Sequence, residues 1–180
     1  MLRVQQLMIQ SVQVCQSEDS FDAVARLLWD HDIGAIPVVD GERRVVAMLT
    51  DRDICIGAYM TGRPLREIRV HEVMSRAVFS VRAEQPVDVG LQVMREHQVR
   101  RVPVTDAQGR VLGILSQNDL ITEAARERES QHKELGAPAI TASLAAIGRS
   151  RSLTIPTTSR WHGACFRQHK AACRRTQMAD

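Results

Sequence analysis

The residues of this chain best placed to do chemistry are a hydroxyl and a carboxylate three positions apart, and they occur twice: Thr50-Asp-Arg-Asp53 and Ser116-Gln-Asn-Asp119. Each follows an apolar pair, Met48-Leu49 or Ile114-Leu115. If a helix starts at the hydroxyl, its unpaired amides and the positive end of its dipole converge where a phosphate can lie. Thr50 or Ser116 adds a donor there, and one turn on, Asp53 or Asp119 can accept from a pair of ribose hydroxyls. Spacing and chemistry together suit a nucleotide. The same pattern also fits a capping box, in which hydroxyl and acid satisfy one another's backbone amides and no ligand is involved. The residues alone leave both readings open.

A second pair of segments is Gly34-Ala-Ile36-Pro37-Val and Arg100-Arg101-Val102-Pro103-Val. Proline brings no amide, so the backbone groups beside it need not all join a ladder and can face the edge of a flat base. The plainer alternative is an edge strand with its proline at an unpaired position. Arg100 and Arg101 stand where the first segment has Gly34 and Ala35. The two sites are therefore unequal in charge, and an arginine turned inward favours phosphate in one of them.

These residues recur because the chain repeats itself at an offset of 66 positions. Sliding residues 3–54 onto 69–120 aligns Met8/Met74, Glu18/Glu84, Asp22/Asp88, His31/His97, Pro37/Pro103, Asp40/Asp106, Arg44/Arg110, Leu49/Leu115 and Asp53/Asp119. Two such copies are expected to pack with approximate two-fold symmetry and to leave clefts between them.

Within each copy the pattern predicts strand, helix, strand, strand, helix. Alternating apolar residues place a strand at Val12–Val14 and at Val78–Val81. Ser20 caps a helix presenting Phe21, Val24, Leu27 and Leu28, and Pro86 starts one presenting Val87, Leu91, Val93 and Met94. Strands Ala35–Val39 and Val45–Thr50 flank a turn at Asp40-Gly41-Glu42-Arg43; Arg101–Thr105 and Val111–Ser116 flank Asp106-Ala-Gln-Gly109. Closing helices cover Asp51–Met60 and Gln117–Arg128. The fold class is α/β, with small sheets packed on helices. Residues 1–60 form the first repeat, 61–72 a connection, 73–128 the second repeat and 129–180 a basic tail.

At 180 residues and 44% hydrophobic, the chain can bury one good core. Its net charge of +3 hides a division: residues 1–125 hold 14 Lys+Arg against 17 Asp+Glu, and 126–180 hold 10 against 4. The basicity belongs to the tail. No apolar run is long enough to span a membrane and the first ten residues lack signal-peptide character, so the expected location is the cytoplasm. Cys15, Cys55, Cys165 and Cys173 follow no disulfide framework and are expected reduced. With 3% aromatic residues the body offers no stacking surface for single-stranded nucleic acid, which leaves only the tail to contact it. The repeats hold no activated nucleophile, no glycine-rich phosphate loop and no metal triad, so an enzyme is not expected. His31 and His97 fit helix-terminal residues better than acid–base groups. The tail lacks sustained periodicity and reads as mostly disordered. His162, Cys165, His169 and Cys173 have zinc-ligand chemistry, but the last three fall every four residues, a straight stripe on a helix rather than a cage.

Taken together, Gly34-Ala-Ile-Pro-Val-Val-Asp40 with Met48-Leu-Thr-Asp-Arg-Asp53, and Val102-Pro-Val-Thr-Asp106 with Gly113-Ile-Leu-Ser-Gln-Asn-Asp119, resemble a pair of cystathionine beta-synthase (CBS) domains, the Bateman module. The likeness covers residues 1 to 125, and the segments around His31 and His97 are similar to those of the hypoxic response proteins of actinobacteria. The resemblance implies a regulatory module that binds AMP, ADP, ATP or S-adenosylmethionine in the clefts between repeats, requires no cofactor and forms a homodimer. It implies phosphate at Thr50 and Ser116, ribose at Asp53 and Asp119, and adenine against the backbone around Ile36-Pro37 and Val102-Pro103. The alternative is a dimeric scaffold with no small-molecule ligand, whose basic tail contacts an acidic partner.

Overall fold

Apolar alternation and turn chemistry build the same three-stranded sheet twice. The computed structural model describes residues 2–75 and 77–129, with Ala145 alone beyond them; the expectations for the tail, including its disorder and the His162, Cys165, His169 and Cys173 group, lie outside the described residues. In chain order the elements are α1 (Val4–Leu7), β1 (Cys15–Gln16), α2 (Phe21–Asp30), β2 (Ala35–Val39), β3 (Val45–Thr50), α3 (Asp51–Thr61), a 3-10 turn (Leu65–Glu67), α4 (Val70–Val73), β4 (Val81–Arg82), α5 (Val87–His97), β5 (Arg101–Thr105), β6 (Val111–Ser116) and α6 (Gln117–Glu129). The sheets run β1-β2-β3 and β4-β5-β6, each with a parallel first pair and an antiparallel second pair.

The four long strands lie where the sequence puts them. The opening strands do not: β1 begins at Cys15, after Val12–Val14, and of Val78–Val81 only Val81 joins β4. Alternation marks those valines as half-buried, but the ladder exists only where the chain passes Val38–Val39 or Val104–Thr105.

α2 forms because Ser20 Oγ accepts from the Ala23 amide and because Phe21, Val24 and Leu28 fall on one buried face. The turn after β2 is held by Asp40, whose Oδ1 accepts from the amides of Glu42 and Arg44 and whose Oδ2 accepts from Arg44 Nε at 3.0 Å. Asp106 repeats this with Gln108 and Arg110. The left-handed position of the turn is Gly109 (φ 80°) in the second copy but Arg43 (φ 61°) in the first. Gly41 is not the residue that needs the freedom. Within α3, Gly57 permits close approach, since a Cβ there would stand 2.7 Å from the Phe21 ring and 2.9 Å from Val73.

The expected single core is two. One cluster gathers Cys15, Phe21, Val24, Leu28, Ile36, Val38, Ala47, Leu49, Ile54, Ile68, Val70 and Val73; the other gathers Val4, Val81, Ala83, Val87, Leu91, Met94, Val102, Val104, Leu115 and Leu120. Val4 packs among second-copy residues, and Ile68, Val70 and Val73 pack among first-copy residues. The opening segments are exchanged. Backbone bonds record it symmetrically: Val4 N donates to Gln85 O and Val70 N to Asp19 O, Gln5 N to Ala83 O and His71 N to Ser17 O, Val87 N to Leu2 O and Phe21 N to Ile68 O. At the far end, Val45 N donates to Gly109 O and Val111 N to Arg43 O. Each bond has a twin 66 residues on, so the halves are related by an approximate two-fold axis.

Two outcomes are expected. Ile68 is fully buried, so Ile68→Ala should destabilise the chain by about 2–5 kcal/mol in urea denaturation; a loss near zero would mean the segment is not docked. The side-chain hydrogen bond from Arg44, with its backbone bond, holds the Asp40 carboxyl below its ordinary range. Its stabilisation is present above the ordinary carboxylate pKa of about 4 and disappears as pH falls through the lowered value. Asp40→Asn should therefore be less stable than the parent at neutral pH, with the gap closing in acid when unfolding is followed across pH.

Candidate functional site

β3 ends at Thr50 and β6 at Ser116, and each delivers its hydroxyl to the first turn of the helix that follows. Thr50, in extended backbone, is the N-cap of α3: its Oγ1 accepts from the Asp53 amide at 3.1 Å, and Asp53 Oδ2 accepts from the Thr50 amide at 3.1 Å and from Oγ1 at 2.7 Å. The second copy matches, with Asp119 Oδ2 accepting from the Ser116 amide at 2.8 Å and from Oγ at 2.7 Å. The capping box is formed at both junctions. In each, only Oδ2 of the carboxylate serves the cap.

The helix start is tied to the preceding strand pair. Asp51 N donates to Gly34 O at 3.3 Å and Gln117 N to Arg100 O at 2.8 Å. The antiparallel register sets Ala35 against Thr50 and Arg101 against Ser116. Gly34 and Arg100 thus sit over the first residues of α3 and α6.

Pro37 and Pro103 lie on the middle strands, β2 and β5, and not on edge strands as the plainer alternative had it. The middle position is tolerated because β1 reaches only Val38 and Val39, and β4 only Val104 and Thr105. The proline's missing amide falls outside that short ladder. Ile36 and Val102 bury their side chains completely in the two cores, so what they can offer a ligand is backbone.

The arginines divide. Arg100 is exposed, whereas Arg101 is half-buried and crosses to the first copy, its Nη1 lying 3.7 Å from where a Cβ of Gly34 would stand. The Asp51 carboxylate Oδ2 lies 3.4 Å from the same point. Asp51 and its counterpart Gln117 are the residues of these junctions that motif reasoning passed over, although a comparison of the two copies position by position exposes them.

Asp119 also lines an open depression of about 220 Å³ with Gln6, Leu7, Thr122, Glu123 and Arg126. Among the described residues no three His, Cys, Asp or Glu side chains are grouped to hold a metal ion. Burial, reinforced by the charge of Asp19, pushes the Cys15 thiol up to about 12, which leaves it inert as a nucleophile. His31 closes α2, its amide bonding Leu27 O, and His97 stacks on Phe79 with ring centres 3.6 Å apart. No helix of the described residues is long and apolar enough to cross a membrane.

The family model for the CBS domain matches residues 4–56 and 70–126. The chain belongs to the CBS domain family. Hypoxic response protein 1 of Mycobacterium tuberculosis is 33% identical over 120 residues, covering 67% of this chain and 83% of that protein. Among solved structures, Hypoxic Response Protein I with two coordinated zinc ions is similar at a TM-score of 0.62 and 32% identity, covering 68% of this chain and 99% of that one. The CBS domain pair of protein MJ0100, solved with 5′-methylthioadenosine and S-adenosyl-L-methionine, is similar at a TM-score of 0.61 and 26% identity, covering 68% of this chain and 98% of that one. The two copies are thus CBS repeats, and the pair is a regulatory module by family. The tandem CBS resemblance drawn from the junction motifs and the α/β fold class are both confirmed.

If the hydroxyls cap as the geometry shows, Thr50→Ala and Ser116→Ala should each cost about 1 kcal/mol of stability by thermal or urea unfolding. An unchanged midpoint for either would remove the cap from the account.

Proposed function

We propose that this CBS pair is a ligand-sensing regulatory module that binds adenosine-containing ligands, AMP, ADP, ATP or S-adenosylmethionine, at its two strand-to-helix junctions. The observation that carries the reading is the repeated convergence of four parts: helix amides, a hydroxyl, a carboxylate and a strand segment, Ala35–Pro37 or Arg101–Pro103, that the first strand leaves uncovered. The MJ0100 pair and its adenosyl ligands support the ligand class. The capping box does not oppose it, because Asp53 and Asp119 spend Oδ2 on the cap and keep Oδ1 to accept from ribose. The ligand acts by binding one packing of the repeats better than another, and its effect cannot exceed that difference in affinity. This role is non-catalytic and needs no cofactor.

A scaffold reading rests on a different observation. Trp29 and Tyr59 are 86% and 83% exposed on the helices of the first repeat, where the second repeat has Arg95 and Ala125. Such rings are suited to a contact with a second copy or another protein.

Calorimetric titration with AMP, ADP, ATP and S-adenosylmethionine decides between them. At least one ligand is expected to bind at millimolar concentration or below, with Asp53→Ala and Asp119→Ala each removing one site while circular dichroism reports an intact fold. No heat from any of the four leaves the scaffold; undiminished binding by the double variant contradicts the assignment of these aspartates.

A further inference from the structure

The two junctions share a backbone and differ in charge. At the first, the Asp51 carboxylate at the start of α3 and the Arg101 guanidinium from the other repeat both lie near Gly34. At the second, the corresponding positions are Gln117, Ala35 and Arg100. Gln117 is neutral, and Ala35 cannot reach across. Arg100 takes the place of Gly34, and its carbonyl accepts from the first amide of α6 at 2.8 Å. A Cβ at Gly34 would point at the side chain of Asp51, so the two-fold relation starts the Arg100 side chain toward Gln117. Beyond the capping aspartate that both junctions share, the first junction therefore carries a second acid, Asp51, with Arg101 close by, and the second carries the exposed Arg100 and no second acid.

We propose that the second junction is the phosphate site of the pair, and that the first takes an adenosine ligand whose 5′ substituent is uncharged or cationic. Resting on the adenosine reading above, this assigns a ligand class to each site. A phosphate at the head of α6 meets the positive end of the helix dipole and Arg100, both favourable to an anion. At the head of α3 the same phosphate meets the Asp51 carboxylate, whose repulsion offsets the helix dipole and the pull of Arg101. A sulfonium or thioether at the 5′ position escapes that repulsion, and a sulfonium gains from Asp51. Arg101, though it belongs to the second repeat, is a specificity-determining residue of the first site.

The test is calorimetry of AMP and of 5′-methylthioadenosine, two ligands that differ in the charge at the 5′ position, with the full chain. The parent is expected to take one AMP per chain. Arg100→Gly and Gln117→Asp should each weaken AMP about tenfold or more, the scale of one charge gained or lost beside a phosphate. Both should leave 5′-methylthioadenosine within about twofold, a difference too small for a lost charge contact. Asp51→Asn should raise the AMP count from one to two. AMP binding that survives Arg100→Gly and is lost in Arg101→Ala overturns the assignment while leaving the adenosine reading in place. Competition of the two ligands for a single site overturns it as well. If the parent binds neither, both readings fall together.

Discussion

Neither core of this protein is complete without a segment of the other repeat. The amides of Val4 and Gln5 bond carbonyls of the second copy, and those of Val70 and His71 bond carbonyls of the first, while Val4, Ile68 and Val70 are fully buried where they arrive. Each fully buried valine or isoleucine contributes about 1.5–3 kcal/mol, so the exchange is a substantial part of what joins the halves. It fixes their relation as well as their stability. With the ends of the repeats crossed and the turns at Arg43 and Gly109 bonded at the far end, the starts of β2 and β5 come close enough for Arg101 to reach Gly34. Sites that belong to both repeats follow from a core that belongs to both.

The junctions show how one motif serves stability and recognition together. A helix that starts at the end of a strand leaves amides unpaired, and here a threonine or serine and an aspartate satisfy part of that need themselves. The box orders the first turn and holds the hydroxyl and carboxylate in one arrangement, which lowers the ordering cost for any ligand that later uses them. The capping reading and the nucleotide reading, alternatives on sequence alone, become successive roles for the same atoms.

Much of this was legible in the residues. The offset of 66, the four long strands, the Ser20 cap and the Asp40 and Asp106 turns all follow from local chemistry, and the structure has them at the expected positions. What was not legible is non-local. The alternation at Val12–Val14 reports partial burial but not the absence of a pairing partner. Ile68 and Val70 sit in a stretch with Gly62, Pro64 and several charges, which reads as a connection because nothing nearby says that a first-repeat core awaits them. The middle-strand prolines escaped for a similar reason: how far β1 and β4 extend is decided by neighbours distant in sequence. Asp51 and Gln117 were hidden differently, being spacer positions in a motif defined by its flanking hydroxyl and acid.

The central claim is that two junctions of one shape and unequal charge receive adenosine ligands. It is tested most directly by a crystal structure of the full chain grown with AMP and 5′-methylthioadenosine together. The account requires a nucleotide phosphate at the head of α6 within reach of Arg100, and a thioether nucleoside whose ribose hydroxyls meet Asp53. Density for AMP at Thr50 beside Asp51, or for either ligand away from both junctions, would contradict it.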